Sequence, residues 1–270
     1  MILVFGSINV DLIVPVPRLP ETGETVLGGD YALLPGGKGA NQALAARRAG
    51  SEEVVLVGAV GRDSFGEIAL DLVRRDGVDT RLVRAIEKPT GCAAIMVSRA
   101  GENMIAVAPG ANNGIQSDWV LDDLLSSAAV FVGQMEVPLR ETEAMIRRVR
   151  RHGGRCLLNL APALPIDLGL LPDIDFLVAN ENEARTMGAD PMRFAGRLRQ
   201  GLVVTRGAVG ATALLANGTR FDVPALAIDP MDTTGAGDTF VGAFAAALDA
   251  GLAVKVALRR ANAAAGLACL

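Results

Sequence analysis

A single histidine, His152, stands in a chain of 270 residues. With one imidazole, Ser-His and Cys-His nucleophile pairs and multi-histidine metal sites are nearly excluded, so acid–base chemistry falls to carboxylates or lysines. Cysteine is scarce as well. Cys92, Cys156 and Cys269 are odd in number, scattered and without metal-ligand spacing, as expected of buried thiols in a reducing cytoplasm. Positive charge is not in excess. The net charge of -4 argues against a nucleic-acid partner. The densest basic group (Arg147, Arg148, Arg150 and Arg151) reads at helical spacing as a solvated face. No apolar stretch reaches membrane-spanning length without a charge, and Asp11 interrupts the short apolar run at the N-terminus. A cytoplasmic protein with neither signal peptide nor membrane partner is expected. Aromatic residues make up only 4% against 50% hydrophobic, which suits an α/β protein packed on aliphatic side chains, one domain with an elaboration.

Two familiar phosphate-binding motifs are missing too. The dinucleotide fingerprint needs a glycine where Phe240 stands. The nearest approach to a P-loop, Gly37-Lys38, has Gly39 in place of the magnesium-binding hydroxyl. What the chain does hold is a strand–helix alternation. Strands are expected at Ile2–Phe5, Val54–Val57, Val130–Val132, Cys156–Leu158, Phe176–Val178 and Leu202–Val204. Helices are expected at Ala40–Ala49, Phe65–Arg75, Glu141–Arg151, Glu181–Met187, Met192–Leu198 and Ala253–Leu270. That order implies a mostly parallel sheet covered on both faces, with ligands beyond the carboxyl ends of its strands. Residues 12–35 and 90–107 break the rhythm and read as strand hairpins, forming a small β-sheet lid.

The densest chemistry lies in Asp232-Thr233-Thr234-Gly235-Ala236-Gly237-Asp238-Thr239-Phe240, followed at once by the apolar run Val241–Leu248. A small-residue turn at a helix start offers backbone N–H groups and the positive end of the dipole to an anion. Asp238 then stands where a carboxylate could meet a hydroxyl attacking a phosphate. It could equally be an ordinary first-turn acid complementing the dipole, and in either role an Asp at a helix N-terminus is expected to have a lowered pKa and to be a weak base.

Other polar groups recur at strand ends. Ser7, Asn9 and Asp11 alternate after the first strand and share one face in extended chain. Gly36, Gly37 and Gly39 precede a helix with Asn41 in its first turn, and their entropic cost has no evident folding reason. Lys38 between them reads equally as a surface lysine. Glu136 follows the strand ending at Val132. Asn159 and Asn180 follow the next two, although Asn180 with Glu183 also fits a capping box. Thr205 and Gly207 end another strand. Together these outline a hydroxyl-binding region near Asn9, Asp11, Asn41 and Glu136, and a phosphate region near Gly235–Asp238.

These segments resemble the ribokinase family of PfkB-type carbohydrate kinases. Gly36 to Ala43 is similar to its first signature and Asp232 to Phe240 to its second. Gly6–Asp11, Gly61–Gly66, Gly110–Asn112, Asn159–Ala163 and Asn180–Glu183 match in order, and the likeness spans nearly the whole chain. The resemblance implies a ribokinase-like three-layer α/β sandwich with a small sheet as lid. It implies ATP-dependent phosphorylation of a sugar's primary hydroxyl, most simply that of D-ribose. Fructokinase, nucleoside kinase or 2-keto-3-deoxygluconate kinase activity, or a non-catalytic sugar or nucleotide sensor, are the alternatives. By position, Asp238 would be the base and Gly235, Ala236 and Gly237 the anion hole. Asn9, Asp11, Gly37, Lys38, Asn41 and Glu136 would hold the sugar. Asn180 and Glu183 would organise Mg²⁺ and phosphates through water, and Thr205, Gly207, Gly237 and Asn262 would line the ATP site. Asp232 and the Thr234 carbonyl would be ligands of an activating K⁺. Relatives run on past the position of Leu270 into a loop with further K⁺ ligands and part of the adenine pocket. A homodimer through the lid sheets is expected.

Overall fold

The computed structural model describes residues 1–127, 130–188 and 190–270. Seven parallel strands form the body of one sheet: β1 (Ile2–Phe5), β4 (Val54–Gly61), β5 (Asp79–Ile86), β8 (Val130–Gly133), β9 (Arg155–Asn159), β10 (Phe176–Asn180) and β11 (Gly201–Thr205). Antiparallel β12 (Ala211–Leu215) and β13 (Arg220–Val223) extend it, in the order β13-β12-β11-β10-β9-β8-β1-β4-β5. The period-2 alternation divides each strand between two cores. Ile2 and Val4 face a layer holding α1 (Lys38–Arg48), α2 (Ser64–Arg75), α7 (Ala236–Asp249) and α8 (Val254–Leu267). Leu3 and Phe5 face the opposite layer, with Met145 and Ile146 of α4 (Leu139–Arg151) and Phe194 and Ala195 of α6 (Pro191–Ala195). The three-layer α/β sandwich expected from the strand–helix alternation is the fold observed.

A second sheet has the order β3-β2-β6-β7, from β2 (Asn9–Val16), β3 (Ala32–Gly36), β6 (Gly91–Ser98) and β7 (Asn103–Ala108). The hairpin expected over 90–107 is β6–β7. That over 12–35 is narrower than expected: Thr25, Val26 and Tyr31 lie in the non-strand connection 17–31. Pro17 and Pro20 cannot donate to a ladder, which explains the interruption. Ser7 also falls outside the strand, so only Asn9 and Asp11 share its face. Strands β5, β12 and β13 escape a search for apolar runs, since β5 is a half-exposed edge rich in Asp and Arg and β13 an edge of four residues. The last helix ends at Leu267 rather than Leu270.

The glycines before α1 have a packing reason that the sequence conceals. A Cβ on Gly39 would stand 2.6 Å from the Gly6 carbonyl carbon, and one on Gly37, at φ 92°, 2.7 Å from the Asn9 nitrogen. The helix therefore starts directly on the 6–9 segment, where Ala40 N–H donates to the Ser7 carbonyl at 3.0 Å. Its other side lies against α7, and a Cβ on Gly242 would meet the Gln42 carbonyl at 2.4 Å and Ala45 Cβ at 2.6 Å. Gly242→Val should therefore cost roughly 1–3 kcal/mol by overpacking. A urea titration reads this as a lowered midpoint, and an unchanged midpoint would contradict the close contact.

Candidate functional site

The starts of α1 and α7 meet over the carboxyl ends of the parallel strands, at the foot of the second sheet. Gly235 opens α7 in the left-handed region at φ 72°, and neither it nor Gly237 has an atom within 4 Å of a would-be Cβ. The turn thus faces open space. Ala236 N–H donates back to the Thr233 carbonyl at 3.2 Å, while the N–H groups of Gly237 and Asp238 have no protein acceptor among the described residues. The donors at this helix start available to an anion are therefore those at 235, 237 and 238, not that of Ala236.

Asp238 is buried, with 8% of its surface exposed. Its Oδ2 accepts from Asn41 Nδ2 at 3.2 Å and its Oδ1 from Gln42 Nε2 at 2.9 Å. Burial drives its pKa upward, opposed by the Lys38 charge and the two amide hydrogen bonds and reinforced by Glu136. This reverses the expectation of a lowered value and a weak base, because desolvation outweighs the stabilisation that a helix start provides.

Around this point the acidic residues gather. Glu136 Oε2 accepts from Ser7 Oγ at 2.6 Å and from the Lys38 N–H at 3.3 Å. Asp11 is pushed up to about 6, first by desolvation, then by the charges of Glu136 and Asp238, with Lys38 pulling the other way. Glu183 is raised by burial and by Asp238, and lowered by the Asn180 N–H and Lys38. Lys38, half-buried and bordering the same cavity as Asp238 and Glu183, is therefore the cation that lowers Asp238, Asp11 and Glu183, in place of a solvated surface lysine. Asn9, at the base of β2, has its Oδ1 occupied by Asn112 Nδ2 at 2.7 Å. Asn112 is itself locked to both the N–H and the carbonyl of Ile8. This fixes the Asn9 amide with its NH₂ as the free group. Gln42 and Asn112 were not singled out by sequence. Each sits in a recognised motif, but only tertiary contact shows what it touches.

Three cavities run along this edge. The first, about 410 Å³, is lined by Ser7, Asn9, Asn112 and Glu136 and by apolar side chains such as Val107 and Leu164. The second, about 160 Å³, brings together Lys38, Asn180, Glu183, Thr205, Gly237 and Asp238. The third, about 290 Å³, holds Thr205, Gly207, Ala236, Gly237, Phe240 and Asn262. Thr205 and Gly237 border both of the last two. Asn180 and Glu183 do form the reciprocal capping box, each carboxamide or carboxylate oxygen 2.8 Å from the other's N–H. Asn262 donates to the Val223 and Pro224 carbonyls at 2.9 and 3.1 Å, holding that connection against α8. Asp232 and Thr234 stand apart on an exposed turn, where Asp232 Oδ1 accepts from the Thr234 N–H at 2.8 Å.

Fold and site define the class: a three-layer α/β protein with an anion-ready helix start, a buried carboxylate beside it and cavities on either side. The pfkB family carbohydrate kinase model matches residues 1–270, and the chain belongs to that family and is a kinase. The ribokinase of Lactococcus lactis is 35% identical over 261 residues, covering 95% of this chain and 86% of that one. The ribokinase structure from Thermotoga maritima superposes with TM-score 0.92 at 28% identity, covering 99% and 92%. The structure of Arabidopsis thaliana ribokinase complexed with ribose and ATP superposes with TM-score 0.88 at 30% identity, again covering 99% and 92%.

The raised pKa of Asp11 has a thermodynamic consequence. Its proton-linked stabilisation is complete below the unfolded value of 3.8 and is lost as pH rises through about 6. Asp11→Asn should therefore stabilise the folded chain near pH 8 by about 1–2 kcal/mol, after discounting for solvent screening, and by nothing below about pH 4. Thermal melts of both proteins across this range check the sign. A gain that grows toward acid pH would refute it.

Proposed function

We propose that the chain transfers the γ-phosphoryl group of ATP to the primary 5-hydroxyl of D-ribose. The observation that carries this reading is Asp238, a buried carboxylate set between two amide donors and next to unpaired helix-start N–H groups. Asp238 accepts the hydroxyl proton as the sugar oxygen bonds to phosphorus and the bond to the ADP oxygen breaks. In a loose transition state the proton leaves late, so position matters more than basicity, and the raised pKa of Asp238 is a further help. The N–H groups of Gly237 and Asp238, with the Gly235 turn beneath, stabilise the charge gathering on the phosphoryl oxygens. Asn9, Asp11, Gly37, Lys38, Asn41 and Glu136 hold the sugar. Asn9 presents donors, while Asp11 and Glu136 present acceptors. Asn180, Thr205, Gly207 and Asn262 border the nucleotide, and the ribose and ATP bound to the Arabidopsis relative support both ligand classes.

Glu183 is a half-buried carboxylate facing the cavity that Asp238 and Lys38 share, a fit for Mg²⁺ held through water. When bound, the ion supplies charge neutralisation on the phosphates. The fit for potassium is poor, since the Asp232 carboxylate is engaged with Thr234 on an exposed turn; no step depends on it. The apolar walls of the 410 Å³ cavity beside Asn9 and Glu136 favour one second reading, a nucleoside as acceptor. No helix among the described residues is long and apolar enough to cross a membrane, in keeping with a cytoplasmic enzyme. The small sheet acts as the lid. Its exposed Leu34, Met104, Ile105 and Val107 provide the surface for a homodimer.

Asp238→Asn should lower turnover with ribose and ATP by roughly 10²–10⁴-fold while leaving ribose binding by calorimetry intact. Substantial residual turnover would remove Asp238 from the base role. The same assay with nucleosides separates the two acceptor readings. Light scattering should give twice the chain mass, and a monomer at all concentrations would refute the dimer.

A further inference from the structure

Beneath the residues assigned to sugar, nucleotide and base lies a set of buried amides with no part in the reaction as described. Gln42 is fully buried, Gln134 is 1% exposed and Asn159 is 7% exposed. Gln42 Nε2 donates to Asp238 Oδ1 at 2.9 Å and to Asn159 Oδ1 at 3.0 Å. Gln42 Oε1 accepts from Gln134 Nε2 at 2.8 Å, and Asn159 Nδ2 donates to the Val178 carbonyl at 3.2 Å. The relay ties α1 to α7 and to the ends of β8 and β9, and of its three amides only Asn159 borders one of the three cavities described.

Its polarity is forced. An ionised carboxylate can only accept, so Gln42 turns its NH₂ to Asp238 and its oxygen must then take a donor from Gln134. Gln134 is left with its own Oε1 buried and without a partner. That oxygen is aimed at Gly6, where a Cβ would stand 1.8 Å away. An orphaned buried carbonyl is a cost that apolar replacement would remove. The chain bears it at the far end of the relay, and what the near end gains is one fixed orientation of the donor facing Asp238.

We infer that Gln42, held in a single orientation by Gln134, is a positioning residue that aims the Asp238 carboxylate at the sugar hydroxyl. The inference rests on Asp238 being the base. The two carboxylate oxygens are then served differently: Asn41 reaches Oδ2 from the side assigned to the sugar, while Gln42 holds Oδ1 from the protein interior. The charged groups facing Asp238 are Lys38 from α1, Glu136 after β8, Asp11 from β2 and Glu183 from α5 (Glu181–Thr186). None of them reaches Oδ1 by a hydrogen bond.

The test is steady-state kinetics with ribose and MgATP across pH. Gln42→Leu keeps bulk and removes the donor. It should lower kcat roughly 10–100-fold, the usual effect of losing a group that orients a reacting one. The KM for ribose should stay unchanged. The acid limb of kcat should move to higher pH, because the hydrogen bond that favours the ionised form is gone. Gln134→Met should do the same in smaller degree, and it decides the matter if Gln42→Leu does not fold. In the Asp238→Asn background, Gln42→Leu should add no further loss. A folded variant with wild-type kcat, or one whose kcat falls without any movement of the acid limb, would overturn the positioning role while leaving Asp238 as the base. High turnover in Asp238→Asn alone would overturn the base reading first, and this one with it.

Discussion

The contact between α1 and α7 is the constraint from which the site follows. Both helices open on a glycine with positive φ, and both are faced with alanine where they touch. Gly242 admits the Gln42 carbonyl to a distance that no side chain would permit. At that separation the amides of Asn41 and Gln42, on the first turns of α1, reach Asp238 in the first turn of α7. A wider crossing with larger side chains would leave the carboxylate without donors. The near absence of aromatics is the compositional side of this. Small residues make the core of the helix layer, and the Phe176, Phe240 and Phe244 cluster fills the space further along α7.

Burying a carboxylate at this junction sets the electrostatics of everything near it. Asp238, Asp11 and Glu183 are all pulled down by one cation, Lys38, whose backbone N–H is held at the start of α1 by Glu136. Four acids near one lysine leave the site with excess negative charge, and Asp238, Asp11 and Glu183 with raised proton affinity. The direction is useful for a reaction that consumes a hydroxyl proton, and it is unfavourable for folding, as the Asp11 linkage shows. In the proposed reaction the phosphate side is kept apart from this excess by the N–H groups of α7, and Glu183 would hold, through water, a Mg²⁺ whose charge would add to that separation. Like charges would otherwise meet when the triphosphate enters.

Much of this was legible in the residues. The parallel sheet, the anion-ready start of α7 and the strand-end polar groups follow from apolar runs, glycine placement and position. The family resemblance supplied roles that spacing could not. What was hidden is tertiary in origin. Gln42 looks like any polar residue of a helix until α7 is laid beside it. Asn112 looks like a turn residue until it closes on Asn9. The glycines of the first signature look like a binding loop, yet Gly37 and Gly39 are required by contact with residues 6–9. The direction of the Asp238 shift was misjudged for the same reason: a helix start is readable from sequence, whereas burial is not.

The second sheet joins the body of the protein through Val10 and Leu33, packed on the core that holds α2, and through a polar row that is also a wall of the site. Asn9 pairs with Gly36 on one side and with Gly91 on the other. A Cβ at Gly36 would collide with the Asp11 carboxylate, and one at Gly91 with the Asn9 and Asn112 amides. Close by, Asp63 accepts from the Thr90 N–H at 2.8 Å, the Thr90 hydroxyl at 2.6 Å and the Gly66 N–H at 3.0 Å. This clamps the base of β6 to the start of α2. The clamp and the polar row lie at the same end, and the exposed apolar residues of β7 begin there too, with Val107 joined to Asp11 across Ala93 and bordering the cavity beside Asn9. Any tilt of such a sheet would carry Asp11 with it, because the row that holds Asp11 runs on through Ala93 to Val107. Sheet movement and hydroxyl recognition are therefore coupled, and in the proposed role as a lid over a water-sensitive transfer closure and sugar contact would come together.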